Sequence, residues 1–436
     1  MALEHVQELF DFIQQSPSCF HVIENVKKQL TEQGFEELCE NKNWQIKEGG
    51  KYFVTRNLSS VIAFKVPTKD FKSFHIVASH SDSPCWKIKN EKVENDGCSR
   101  LSVEGYGGMI MSTWLDRPLT VGGRVIVKTE DGIESRLVCI DRDLLVIPSL
   151  AIHFQRDINK GHTFNPQVDM QPLWGPAGSR TLTDLVAEEL GVDTADILDS
   201  DLQLVTRQAP TQIGPDGEFF MAPRIDDLEC AATTLLGFLD AAAETDSACA
   251  PVWAMLDNEE VGSSSRMGAQ SSYLRDVLDR IVDAIPHSGQ AMHRAMANSF
   301  MLSADNAHAT HPNFPQKSDP CAPVRLGGGV VLKYNASQKY TTNAVSGAIF
   351  RAICEKADVP VQVFTNRADE AGGSTLGNLS NAHLSMNTVD IGLAQLAMHS
   401  SYETAGCADV SYMIRALNAF YQTNIVTEAD GTYQLL

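Results

Sequence analysis

Apolar positions recur along this chain with two different periods, and the switches between them mark out its organisation. Val6, Leu9, Phe10 and Ile13 fall at i, i+3, i+4 and i+7, which predicts an amphipathic first helix that stops before Ser16-Pro17. A second helix is expected over residues 23–30, ending near Gly34. Continuous apolar runs at 61–64 and 76–79 then read as buried strands. From about residue 91 to 212 the pattern changes to short β segments at 103–106, 124–127 and 136–140, separated by Gly122-Gly123 and Asp131-Gly132 turns. After Pro223 helix and strand alternate again. Helices are expected at 228–243, 344–356 and 410–421, and strands at 300–305, 359–365 and 388–391, with another running up to Glu259. The expected fold class is α/β: one domain built from residues 1–90 and 213–436, interrupted by a mostly-β domain at 91–212.

Composition narrows the function without naming it. With 436 residues, 43% hydrophobic and 21% charged, the chain reads as an ordinary globular protein with room for two domains. A formal charge of -20 argues against nucleic acid, and means that an acidic substrate would need a local cation. The ten cysteines are scattered, with no Cys-x-x-Cys pair, as expected of thiols in a reducing compartment. Glu4 and Glu8 interrupt the N-terminal stretch, so no signal peptide is expected. No apolar run approaches the roughly 20 residues of a membrane span. A cytoplasmic protein without a membrane partner is the expectation.

The densest acidic feature closes the apolar run in Trp253-Ala254-Met255-Leu256-Asp257-Asn258-Glu259-Glu260-Val261-Gly262-Ser263. It reads either as a buried strand delivering carboxylates to its C-terminal end, where open α/β sheets place their chemistry, or as a solvated acidic loop. Neighbours on an extended chain point opposite ways, so Glu259 and Glu260 are expected to do different work, one on a metal and one moving a proton. In His80-Ser81-Asp82-Ser83-Pro84, His80 can ligate zinc, and Asp82 lies on the same side of the extended chain to orient it. In Arg224-Ile225-Asp226-Asp227-Leu228, Asp227 reads as a helix N-cap, which leaves Asp226 free to reach inward. Asp305 closes an apolar strand and is followed by His308 and His311. His399 stands in an otherwise apolar segment, either as a ligand or as a satisfied core histidine.

Together His80, Asp226, Glu260, Asp305 and His399 offer two imidazoles and three carboxylates. One zinc needs three protein ligands and a water, whereas this set suits two divalent ions roughly 3.5–4 Å apart with one aspartate between them. A pocket that also held Glu259 would carry four carboxylates, which cations would neutralise. Glu259 then stays unligated as a general base.

The order of these five motifs resembles that of the aspartyl aminopeptidase family, co-catalytic dizinc exopeptidases, from the Ser16-Pro17 segment to the closing helix. The resemblance implies a three-layer α/β/α dizinc exopeptidase domain with an inserted oligomerisation domain, peptide substrates, and a tetrahedral homododecamer enclosing its active sites. It implies two zinc ions, with manganese or cobalt as alternatives. His80 and Asp305 would hold one ion and Glu260 and His399 the other, with Asp226 bridging, Asp82 orienting His80 and Glu259 as base. Ile147-Pro148-Ser149-Leu150-Ala151-Ile152-His153 is similar to the stretch whose histidine reaches into a neighbouring subunit's site. His153 is therefore a candidate substrate-binding residue in trans, the alternative being a half-buried strand histidine. Lys333, in Val330-Val331-Leu332-Lys333-Tyr334-Asn335, resembles the substrate-contacting lysine and would suit an acidic side chain; the alternative is a surface lysine at a strand edge. His308 is a candidate for stabilising the oxyanion or for supporting a ligand. Asp227 stands where the family usually has Asn, Ser81 where Thr is usual, and Gly372-Gly373-Ser374-Thr375-Leu376-Gly377-Asn378 departs from the usual turn. None of these is expected to touch a ligand.

The expected activity is metal-dependent release of N-terminal residues, chiefly Asp and Glu, from peptides. Two rivals share the ligands: a dizinc amidase or deacylase acting on N-acyl amino acids, and a non-catalytic assembly protein.

Overall fold

The alternation of buried side chains in the strands decides where the layers lie. In the strand Cys249–Leu256, Trp253 and Met255 enter one apolar core while Val252, Ala254 and Leu256 enter another. In the strand Ser73–His80, Val77 likewise faces the first core and Ile76 and Ala78 the second. A strand apolar on both faces needs cover on both, and helices supply it. Ala2–Gln15, Cys19–Glu32, Ile225–Ala243, Ala344–Lys356 and Cys407–Gln422 pack on the first face. Tyr273–Asp283, Ala291–Asn298 and Leu376–Asn381 pack on the second. Each large apolar side chain buried in this way contributes about 1.5–3 kcal/mol. The architecture is three-layer α/β/α, in a computed structural model that describes residues 2–68, 70–95, 97–243, 249–284 and 290–436, of which 2–4 and 91–95 are described by backbone alone.

Among the described residues the central sheet has nine strands, in the order Glu36–Leu38, Lys51–Arg56, Ser60–Lys65, Cys249–Leu256, Ser73–His80, Phe300–Ala304, Asn387–Gly392, Val330–Tyr334 and Val361–Thr365. Its middle four run parallel, in a register that pairs Leu256 with His80 and Ala304 with Ile391. Their C-terminal ends therefore finish level, and the side chains just beyond them share one edge of the sheet.

A second sheet of six antiparallel strands is built between residues 85 and 206: Gly132–Cys139, Leu119–Thr129, Ile197–Thr206, Cys85–Asn95, Cys98–Tyr106 and Leu173–Pro176. It has its own core around Trp86, Leu101, Val121 and Val125. The helix Leu182–Leu190 covers it, started by a capping box between Thr181 and Asp184. The chain enters this sheet straight from Asp82-Ser83-Pro84. A third, five-stranded sheet pairs Ala222 with Glu403, Leu396 with Thr404 and His308 with Gln395. It gathers the approaches to Asp226, His399 and His308. Among the described residues no helix is long and apolar enough to cross a membrane.

Candidate metal centre

Five chain segments deliver the cluster, one of them the turn that carries Glu259 and Glu260. His80 is the last residue of its strand, Asp305 follows Ala304 directly, and both lie on the level edge of the sheet. Asp226 sits at the start of the helix Ile225–Ala243, in a non-helical conformation at φ -82°, ψ 106°. His399 lies in the loop after Ala394–Leu396. Gly392 lets this edge close: a Cβ there would stand 1.9 Å from the Asp305 carbonyl oxygen.

Asp226 is common to two groups of converging donors. Its Oδ1 lies 3.3 Å from His80 Nε2, and its Oδ2 lies 3.4 Å from His399 Nε2. Around His80 stand Asp226, Asp227 and Asp305, with Asp305 Oδ1 at 4.0 Å from Nε2. Around His399 stand Asp226 and Glu260, with Glu260 Oε2 at 3.4 Å. Glu259 and Glu260 both converge with His80. The five residues expected to meet do meet, and His399 is no core histidine.

The orientation of the His80 ring follows from its partner. Its Nδ1 is 3.0 Å from the Asp82 main-chain carbonyl, which only accepts, so Nδ1 carries a proton and Nε2 is the ring nitrogen turned toward Asp226. The Asp82 carboxylate is farther from Nδ1, at 3.5 Å. Its Oδ1 accepts the Glu259 N–H and its Oδ2 the Glu260 N–H, each at 3.1 Å. The Asp82 carboxylate thus grips the glutamate turn more closely than the imidazole, which is held by the main-chain carbonyl.

The turn itself differs from expectation. The strand stops at Leu256, Asn258 turns left-handed at φ 62°, and Glu259–Val261 is a single 3-10 turn. Glu259 and Glu260 are therefore not alternating residues of an extended chain, and their side chains are separated by the turn instead.

Asp227 departs further. It is no helix cap: it is fully buried, and the His80 backbone N–H donates to its Oδ2 at 3.0 Å. That oxygen lies 3.9 Å from His80 Nε2, so this departure from the family pattern touches a candidate ligand after all. A buried, uncompensated carboxylate disfavours ionisation, and burial holds the Asp227 carboxyl well above its ordinary range.

The cluster is electrostatically incomplete on its own. Burial, then Asp226, pushes Glu260 well up. Burial, reinforced by Asp305, Asp82 and Asp226 and opposed by His80, takes Glu259 to about 8. Burial works on Asp226 in the same direction, but His399 and His80 outweigh it and hold that carboxyl down. Asp226 Oδ1, Asp227 Oδ1 and Glu260 Oε1 are buried and accept no hydrogen bond. Free carboxylate lone pairs facing two imidazoles are the donor set that hard and borderline divalent cations take. The residues present fit a metal.

A cavity of about 380 Å³ opens onto the cluster, walled by Lys333, Tyr340, Phe364 and His308. Lys333 lies on an interior strand and is 2% exposed, so it is not an edge lysine. Its Nζ donates to the Asn306 carbonyl at 3.0 Å and lies 3.6 Å from Asp305 Oδ2. His308 is exposed at the cavity mouth, and His311 Nδ1 accepts the Asn313 N–H outside it. A larger cavity of about 520 Å³ lies behind Asp82 and Tyr106 and reaches neither His80 nor His399. His153 is not on a half-buried strand: it is exposed, between exposed Ile152 and Phe154, and does not line the cavity of its own chain.

Two residues that the sequence motifs did not single out stand close behind the cluster. The Tyr106 hydroxyl donates to Asp82 Oδ2 at 2.6 Å and accepts from Asn258 Nδ2 at 2.9 Å. Glu403, 1% exposed, accepts backbone N–H groups from the ligand segments. The one local sign of Glu403 was an acid four residues after His399 in an otherwise uncharged stretch.

Fold and cluster define an α/β protein with carboxylates and imidazoles converging at the C-terminal edge of its parallel strands, the class to which metal-dependent hydrolases belong. Residues 12–421 match the model of the aminopeptidase I zinc metalloproteases (M18). The chain belongs to the M18 family and is an aminopeptidase of that family. It is 42% identical over 430 residues to a probable M18 family aminopeptidase 2 of Clostridium acetobutylicum, covering 96% of this chain and 99% of that one. A probable M18 family aminopeptidase 2 of Pseudomonas aeruginosa is 37% identical over 434 residues, covering 97% and 99%. Among solved structures, the Ape4 chain complexed with Nbr1 superposes with TM-score 0.94 at 34% identity, over 97% of this chain and 86% of that one. The mApe1 dodecamer of S. cerevisiae gives 0.84 at 28% identity, over 95% and 96%.

Proposed function

We propose that this aminopeptidase releases acidic N-terminal residues from peptides, using two divalent ions, zinc in the first instance. His80 and Asp305 would hold one ion, Glu260 and His399 the other, and Asp226 both. The observation that carries this is the position of Asp226, with one carboxylate oxygen toward each imidazole. When bound, the ions supply a polarised scissile carbonyl and a water whose pKa falls toward ~7.

This chain's residues do the rest. Glu259, beside the ligands and not needed among them, takes the proton of the attacking water and returns it to the leaving amine. Asp82 holds the Glu259 and Glu260 amides, so base and ligand keep their separation. Lys333 offers its ammonium to the substrate's side-chain carboxylate from the cavity wall, and His308 faces the developing oxyanion from the mouth. Phe364 and Tyr340 keep water off that wall.

Residues 91–212 are proposed as an oligomerisation domain in a homododecamer like the one solved for the yeast mApe1. The exposed Leu150, Ile152 and Phe154 around His153 suit burial against a neighbouring subunit, where His153 would reach the adjoining site. None of the ten cysteines is joined in a disulfide, which suits the cytoplasm.

A panel of aminoacyl anilides, free and N-acetylated, tests the reading when run with a chelator and with zinc, manganese or cobalt restored. Aspartyl and glutamyl anilides should lead, activity should vanish on chelation and return with metal, and acetylated substrates should be inert. Preference for the acetylated series would make the protein a deacylase.

A further inference from the structure

One carboxylate outside the proposed ligand set holds the main chain of two members of it. Glu403 opens the strand Glu403–Gly406, beside Ala222. Its Oε2 accepts the Asp226 N–H at 3.2 Å, and its Oε1 accepts the His399 N–H at 2.7 Å, with Gln395 Nε2 at 3.4 Å from that same oxygen. His399 is not glycine, yet it sits at φ 67°, two residues after Ala397 at φ 57°. Left-handed non-glycine residues persist only where their surroundings over-determine them. Here Glu403 holds the His399 N–H, and the Ile110 N–H, donating to the His399 carbonyl at 3.0 Å, holds the other end. Among the described residues, Glu403 itself belongs to no group of converging metal donors.

We propose that Glu403 is a positioning residue of the metal pair, gripping Asp226 and His399 by their backbone amides so that both side chains aim at the same ion. The inference rests on the two-ion reading above. Both carboxylate oxygens are needed. Glu403→Gln keeps the size and one acceptor but turns a donor toward one of the two N–H groups. Glu403→Ala removes both. The ion beside His399 and Glu260 depends on two ligands that Glu403 holds, whereas the ion beside His80 and Asp305 depends on one.

The test is zinc stoichiometry and affinity of the full chain, measured by competition with a chromogenic chelator for wild type, Glu403→Gln and Glu403→Ala, alongside thermal melting. Wild type should hold two ions per chain. Glu403→Gln should keep one at wild-type affinity and bind the other 10–100-fold more weakly, with kcat recovering as free zinc is raised. Glu403→Ala should lose that second ion. If Glu403→Gln melts lower but holds both ions at wild-type affinity, Glu403 only stabilises the fold and the inference is overturned. If wild type itself holds fewer than two ions, the two-ion reading falls first and takes this one with it.

Discussion

The hydroxyl of Tyr106 donates to Asp82 Oδ2 at 2.6 Å, joining the last residue of the strand Cys98–Tyr106 to the residue that holds the glutamate turn. The same carboxylate accepts the Glu259 and Glu260 amides, so the antiparallel sheet reaches the candidate metal centre through two hydrogen bonds in series. Gly107, next along the chain, makes the approach possible, since a Cβ there would lie 3.1 Å from Glu260 Cβ.

Tyr106→Phe removes that donor and leaves Asn258 Nδ2 without its hydroxyl acceptor, at almost unchanged volume. A hydrogen bond to a charged group contributes about 1.5–3 kcal/mol. The expected outcome is a fall in kcat/KM of roughly ten- to a hundredfold on an aspartyl anilide, with zinc content retained. Unchanged kcat/KM would confine Tyr106 to joining the two sheets.

How much of this was legible in the sequence depends on the range of the interaction. The strand ends carrying His80 and Asp305, and the apolar run before the glutamates, follow from local periodicity, and the metal-site motifs follow from them. Cys85–Asn95 does not stand out in the sequence because its charged residues break the alternation, and its pairing slips register twice, between Ile88 and Asn90 and between Asn90 and Val93. Lys51–Arg56 and Ile197–Thr206 do not stand out either, the latter because its Asp199-Ser200-Asp201 half is exposed. Asp227 accepts the His80 amide and Glu403 the Asp226 amide, and Tyr106 bonds the side chains of Asp82 and Asn258, all between segments far apart in sequence, and no spacing rule records such contacts. The same holds for Lys333, whose burial comes from the strands on either side of it.

Glu259→Gln separates binding from proton transfer. Glu259 converges with His80 and Glu260 but lies outside the group shared by Asp226, Glu260 and His399. The amide is isosteric and cannot take a proton, so metal content should match wild type while kcat falls by about 10²–10⁴. Zinc analysis and anilide turnover check this together. Loss of a metal ion would make Glu259 a ligand, and retained turnover would remove it as base.

Lys333→Met asks which partner the buried ammonium serves. Its Nζ already lies 3.6 Å from Asp305 Oδ2, and the cavity is open beside it. If the ammonium also meets the substrate, kcat/KM for aspartyl and glutamyl anilides should fall by about ten- to a hundredfold more than for leucyl anilide, the effect of one charge-assisted hydrogen bond. An equal loss on all three would assign Lys333 to Asp305 alone.

Stability should fall as the pH rises from 6.5 to 8 in the metal-free protein and hold in the metal-loaded one. Burial takes Glu259 to about 8, and burial with Asp226 takes Glu403 to about 8. Both lie above the ordinary glutamate value of about 4.3. The folded metal-free chain therefore keeps protons that the unfolded chain has released. Stability present below pH ~4.3 is lost as the pH rises toward 8, by up to about 1.4 kcal/mol per pH unit for each group. His75 works the other way. Burial lowers it to about 4, so its contribution is complete above pH ~6.5 and is lost only as the pH falls. Between pH 6.5 and 8 the glutamates act without it, and the melting temperature of the chelated protein should drop. Divalent ions beside these groups would favour their charged forms, so the zinc-loaded protein should hold its melting temperature, and the gain on adding zinc should grow with pH. Melting curves with chelator and with zinc at pH 6.5, 7.25 and 8 check this. Parallel lines for the two forms would mean that these buried carboxylates are not charge-balanced by bound metal.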